Sequence, residues 1–87
     1  MRRIDVLSTD AVTVLLHVQR QRARLQQHIS SKEIGRALEY EPERLYRALV
    51  ECEKGGWLLA ATDHGQPHYS MIAGNRRLVR KLSMRLN

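Results

Sequence analysis

Ser30-Ser31-Lys32-Glu33-Ile34-Gly35-Arg36-Ala37-Leu38, then Pro42-Glu43-Arg44-Leu45-Tyr46-Arg47-Ala48-Leu49-Val50-Glu51-Cys52-Glu53-Lys54, then Gly55-Gly56-Trp57-Leu58: this stretch decides how the chain folds. Ser30 and Glu33 have the spacing of a capping box, in which the serine oxygen reaches a free amide of the first helical turn. Ile29, just before the cap, is placed to staple onto Ile34 and also suits a brief extended segment. Ile34, Ala37 and Leu38 then make a short apolar face. Pro42 suits the first position of the next helix, because an amide there would be unpaired in any case. Leu45, Ala48, Leu49 and Cys52 recur at helical spacing as a buried stripe, which turns Glu43, Arg44, Tyr46, Arg47 and Val50 outward. Gly55-Gly56 ends the helix, one glycine being free to take the left-handed cap conformation. The stretch predicts two short helices joined by a tight turn.

Upstream, a first helix is expected from Thr9 to Gln26, with Ser8, Thr9 and Asp10 all offering a capping oxygen. Ala11, Val14, Leu15, Val18 and Leu25 share one of its faces. Downstream, Trp57-Leu58-Leu59-Ala60-Ala61 and His68-Tyr69-Ser70-Met71-Ile72 flank the turn-rich Thr62-Asp63-His64-Gly65-Gln66-Pro67, which reads as a hairpin with Trp57 as its core anchor. From Asn75 to Leu86, Leu78, Leu82 and Leu86 lie four residues apart among Arg76, Arg77, Arg80, Lys81 and Arg85, a basic amphipathic helix. The expected fold class is mainly α with a small β-hairpin, an α+β domain with a three-helix core over residues 9–72 and a C-terminal helix over 75–86.

Eighty-seven residues make one domain. A domain this small often gains stability by dimerising, and the C-terminal leucines either fold back on the first helix or pair with a second copy. We expect the dimer. No apolar run approaches the ~18 residues of a membrane span, and Asp5 and Asp10 break the run that would make the basic start an export signal. The single cysteine, Cys52, fits a reducing cytoplasm and a place in the core. No phosphate-cradling glycine loop, paired carboxylates or nucleophile with a nearby histidine is visible, so catalysis is not expected. His64 and His68 flank a turn without a cysteine or carboxylate cluster, which favours exposed loop histidines over a metal pair; neither metal nor cofactor is expected.

Charge gives the first sign of a partner. The net charge is +6 and the pI near 10.3, the footprint expected of a nucleic-acid binder. The excess is uneven, because residues 30–56 carry five basic against six acidic side chains while both flanking segments are basic.

The order of helix, short helix, tight turn, helix and hairpin, with the quoted motifs at 30–38, 43–49 and 53–58, resembles the winged helix-turn-helix. In particular it is similar to small MarR-type bacterial transcriptional regulators, without the long flanking helices of their full-length members. The resemblance implies a double-stranded DNA partner. The major groove, about 12 Å wide, admits one helix, so the outward side chains of the third helix become candidate base readers: Arg44 and Arg47, which can fork onto guanine, with Glu43 beside them. Ser31, Lys32 and Arg36 are placed for phosphates, and Tyr46 for a phosphate or sugar. In similar proteins the wing reaches the backbone or the adjacent minor groove, which assigns His64, Gln66 and His68 there.

A sequence-specific regulator, dimeric on a palindromic operator, is the leading expectation. Two others stand beside it. The glutamate-rich middle fits a winged helix that docks a protein and binds no DNA, with Arg44 and Arg47 merely paired to Glu41, Glu43 or Glu51. An architectural or plasmid- or phage-type segregation protein would bind DNA with little sequence preference.

Overall fold

The computed structural model describes residues 7–23, 28–63, 65–72, 77 and 79. Its elements are α1 (Thr9–Ala23), β1 (Ile29–Ser30), α2 (Ser31–Leu38), α3 (Pro42–Lys54), β2 (Leu58–Asp63) and β3 (Gln66–Met71). The predicted α+β class holds: three helices pack with a three-stranded antiparallel sheet of order β1-β3-β2.

Each helix starts where a side chain or a proline settles its free amides. Ser8 caps α1, its Oγ accepting from the Ala11 amide at 3.2 Å. Glu51 of α3 fixes that cap from outside, taking hydrogen bonds from the Ser8 amide at 2.6 Å and hydroxyl at 2.8 Å. Ser30 is extended at φ −70° and ψ 153° and accepts from the Glu33 amide at 3.2 Å, as the capping-box spacing predicts. Ser30 is also the last residue of β1, so one serine ends a strand and begins a helix. Pro42 opens α3, whose cap residue, Glu41, makes no side-chain hydrogen bond to it.

α2 ends on Glu39 in the left-handed conformation, φ 56°, and the amides of both Glu39 and Tyr40 reach the Gly35 carbonyl. This makes the turn into α3 only three residues long. Gly35 also sets how closely the helices pack, since a Cβ there would lie 2.9 Å from Leu45 Cδ2. The close approach corrects one expectation. Ile34 is buried and Leu38 packs on the core, but Ala37 is exposed, because the buried sector of α2 swings toward Gly35, where α3 sits.

The stripe Leu45, Ala48, Leu49 and Cys52 is buried as predicted, and so are Ala11, Val14, Leu15 and Val18 of α1. Leu25 and residues 24–26 lie outside the described residues. Cys52 is fully buried, and its thiol donates to the Ala11 carbonyl at 3.5 Å. Burial pushes that thiol up to about 12, so it is a protonated core group rather than a reactive thiolate.

Gly55 caps α3 with ordinary helical φ, and Gly56 takes the left-handed conformation, φ 77°. Trp57 follows, 1% exposed, the anchor that the sequence predicts. The strands reach further into the turn than expected. Asp63 pairs with Gln66, so only two residues separate the strands, and of these Gly65 takes φ 76°. Pro67 is tolerated in β3 because β1 pairs only with His68 and Tyr69. Of the predicted C-terminal helix, Arg77 and Val79 are described and both are helical. Val79 is fully buried in the core. Leu78, Leu82 and Leu86 lie outside the described residues. No described helix is long and apolar enough to cross a membrane.

Candidate nucleic-acid interface

Three elements enclose one open cleft of about 690 Å³. α2 contributes Ser31, Lys32, Gly35 and Arg36; α3 contributes Pro42, Leu45, Tyr46, Leu49 and Glu53; the hairpin contributes Ala60, Pro67 and Tyr69. The two-residue period of the strands explains the last set. Tyr69 pairs with Ala60 and Pro67 with Thr62, so these side chains share the sheet face turned toward the helices. The floor is apolar and one rim is cationic.

On that rim Lys32 and Arg36 are exposed, and neither forms an ion pair among the described residues. Tyr46 is 68% exposed, a large apolar side chain held in water at the cleft edge. Together with Ser31 at the start of α2, these residues form one surface from the two helices of the motif. This is the grouping predicted for phosphate and sugar contacts.

The two arginines of α3 differ sharply in environment. Arg44 lies on the flank facing α1, where its Nε and Nη2 fork onto Asp10 Oδ2 and Oδ1 at 2.9 and 2.8 Å. Its guanidinium also stacks 4.0 Å above the Tyr40 ring, whose hydroxyl donates to Asp10 Oδ1 at 3.1 Å. The hydrogen bond from Arg44, then that from Tyr40, holds the Asp10 carboxyl below its ordinary value of 3.8 against partial desolvation, and the same bond raises Arg44. Arg44 is thus engaged inside the molecule, with an aspartate rather than with any of the neighbouring glutamates.

Arg47 faces directly away from the buried stripe, opposite Leu45 and Cys52. Its Nη2 donates to Glu43 Oε1 at 2.6 Å, one helical turn back, and both side chains are more than two-thirds exposed. The acidic residues of the middle segment are likewise dispersed. Glu51 is turned to the α1 cap, Glu43 to Arg47, and Glu53 to the cleft, while Glu33 is exposed in the first turn of α2 and Glu39 and Glu41 are exposed in or beside the turn.

The hairpin residues divide. Gln66 and His68 are half-buried on the sheet face opposite the cleft, and the His68 ring donates through Nδ1 to the Gln66 carbonyl at 3.1 Å. His64 lies outside the described residues. Sequence reading missed Asp10 and Tyr40 as partners of Arg44, and Pro67 and Tyr69 as cleft wall. The inward side of the hairpin was ambiguous in the sequence, and a contact between residues 34 positions apart leaves no local pattern. Among the described residues no three His, Cys, Asp or Glu side chains are grouped to hold a metal ion.

No protein-family model and no curated protein sequence matches the chain. Solved structures do. A variant of ZitR from Lactococcus lactis superposes with a TM-score of 0.76 at 12% identity, over 90% of this chain and 51% of that one. The adhesin competence repressor AdcR from Streptococcus pyogenes gives a TM-score of 0.76 at 11% identity, over 92% of this chain and 56% of that one. The chain therefore spans little more than half the length of these bacterial proteins. What it shares with them is the fold, a winged helix-turn-helix.

Proposed function

We propose that this protein binds double-stranded DNA and acts as a small sequence-specific transcriptional regulator, with α3 in the major groove and the hairpin as its wing. The observation that carries the reading is the shared surface of Ser31, Lys32, Arg36 and Tyr46 beside the outward face of α3, on a chain of net charge +6. Phosphate contacts fix register and base contacts give sequence. Ser31, Lys32, Arg36 and Tyr46 are assigned to the first task, and Arg47 with Glu43 to the second. Arg44 joins the base readers only by exchanging Asp10 for a base edge or phosphate. Gly65 and its neighbours, with Gln66 and His68, form the wing that reaches the flanking backbone. The similarity in fold to a repressor of Streptococcus pyogenes supports the regulatory part. A homodimer joined through Leu78, Leu82 and Leu86 would match a palindromic site with half-sites about one helical turn apart.

One observation favours a second reading. The cleft floor of Leu45, Leu49, Ala60, Pro67 and Tyr69 is apolar enough to take a protein segment. Salt separates the two. The affinity of a DNA binder for a labelled duplex falls about 10³-fold or more between roughly 50 and 200 mM salt when several phosphates are neutralised. Lys32→Ala with Arg36→Ala should weaken binding to every duplex and flatten that dependence by about two units of slope. No binding at low salt moves the search to a protein partner.

A further inference from the structure

Glu43 is the one acidic residue among the candidate base readers. It sits at the outermost line of α3, 71% exposed, where a carboxylate opposes the approach of phosphates. An exposed i,i+4 ion pair contributes little to stability, so support of the helix is a weak reason for its place. The pair has a different property when seen from the groove. Arg47 holds Glu43 through Nη2, and among the described residues neither its other guanidinium donors nor the second carboxylate oxygen of Glu43 has a further hydrogen bond. Donors and an acceptor therefore stand side by side, joined by one 2.6 Å hydrogen bond.

A G·C base pair presents the complementary edge. Guanine offers N7 and O6 as acceptors and cytosine offers its N4 amine as donor, in that order across the major groove. An A·T pair fails the match, because the carboxylate would meet thymine O4 or the thymine methyl. We infer that Glu43 and Arg47 act as one reading unit that selects a G·C base pair, Arg47 taking the guanine and Glu43 the cytosine amine. The unit rests on the DNA-binding reading above and specifies which base pair Glu43 and Arg47 read. Glu43 occupies Arg47 and repels phosphates when no cytosine amine is present, which lowers affinity for unrelated sequence and so raises the ratio of specific to non-specific binding.

The test compares the full chain with Glu43→Gln and Arg47→Lys, using duplexes selected by the wild type from a random-sequence pool. The wild type is expected to require G·C at one position of each half-site, with loss of about 10- to 100-fold on changing it to A·T. Glu43→Gln should relax that position, since an amide also donates to thymine O4. It should also bind random duplex more tightly, with a salt slope steeper by about one unit as Arg47 turns to a phosphate. Arg47→Lys keeps the charge but loses the fork, and should lose the preference for guanine. A Glu43→Gln protein with the wild-type preference and salt slope, whatever its melting temperature, overturns the reading unit alone. A wild type that binds no duplex overturns both this inference and the DNA reading.

Discussion

Asp10 of α1 joins two side chains, Tyr40 of the turn before α3 and Arg44 of α3, and its ionisation state tests that junction. Arg44 and Tyr40 stabilise the carboxylate, so its native pKa lies below the ordinary value of 3.8. A depressed native value means stabilisation that is fully present above about pH 3.8 and lost as pH falls through the native pKa. Denaturant titrations of wild type and Asp10→Asn should therefore differ by a constant amount between about pH 5 and 7, and the difference should shrink below pH 3.8. A difference that ignores pH would mean the fork does not depend on the charge of Asp10. The same substitution releases Arg44 toward solvent, so it should also raise duplex affinity at low salt. Nothing in the sequence marks this junction. Arg44 is legible as an outward residue of an amphipathic helix, but its partner comes from the far end of another helix. Long-range polar pairs have no periodicity to read.

At the level of elements, local chemistry predicts well and packing decides the remainder. The Ser30 cap, the proline start of α3, its four-residue buried stripe and its glycine stop all follow from short-range rules and all appear in the structure. Ala37 does not follow them, because which sector of a short helix is buried depends on where its neighbour comes closest, here at Gly35. The hairpin extends into residues that composition marks as turn, since cross-strand pairing needs only two residues at the tip. Gly55 shows the same tension. Its φ of −74° admits alanine, and helix propensity alone would favour alanine by up to about 1 kcal/mol. A Cβ there would lie 2.9 Å from Trp57 Cδ1 and 3.2 Å from the Glu51 carbonyl, however, and Trp57 is fully buried. Overpacking of this kind costs about 1–3 kcal/mol, so Gly55→Ala should be net destabilising in a thermal or denaturant melt. An unchanged or raised midpoint would show that the indole can move aside.

Across the whole molecule, the core lies between α1, α3 and the inner sheet face, with Trp57, Leu15, Ile29, Ile34, Leu58 and Val79 among its fully buried side chains. Burying an aliphatic side chain of this size stabilises by about 1.5–3 kcal/mol, so this layer supports the exposed surfaces around it. α3 has one flank on α1, one flank on the cleft, and an outer line left to solvent. Part of the acidity of the middle segment is met by position: Glu51 is turned to the α1 cap and Glu43 is paired with Arg47, while Glu53 lines the cleft. Lys32 and Arg36 then face outward beside Tyr46 with no competing carboxylate paired to them among the described residues. Summed charge along the sequence could not reveal this, because it does not say which way a glutamate points.

The measurement that tests the account most directly is a map of backbone amide shifts of the labelled protein as a short duplex is added at low salt. The account predicts changes concentrated at Ser31, Lys32, Arg36, Glu43, Tyr46, Arg47 and the hairpin tip, fading as salt is raised. Shifts confined to the outer sheet face around Leu59, or no shifts at any duplex concentration, would contradict it.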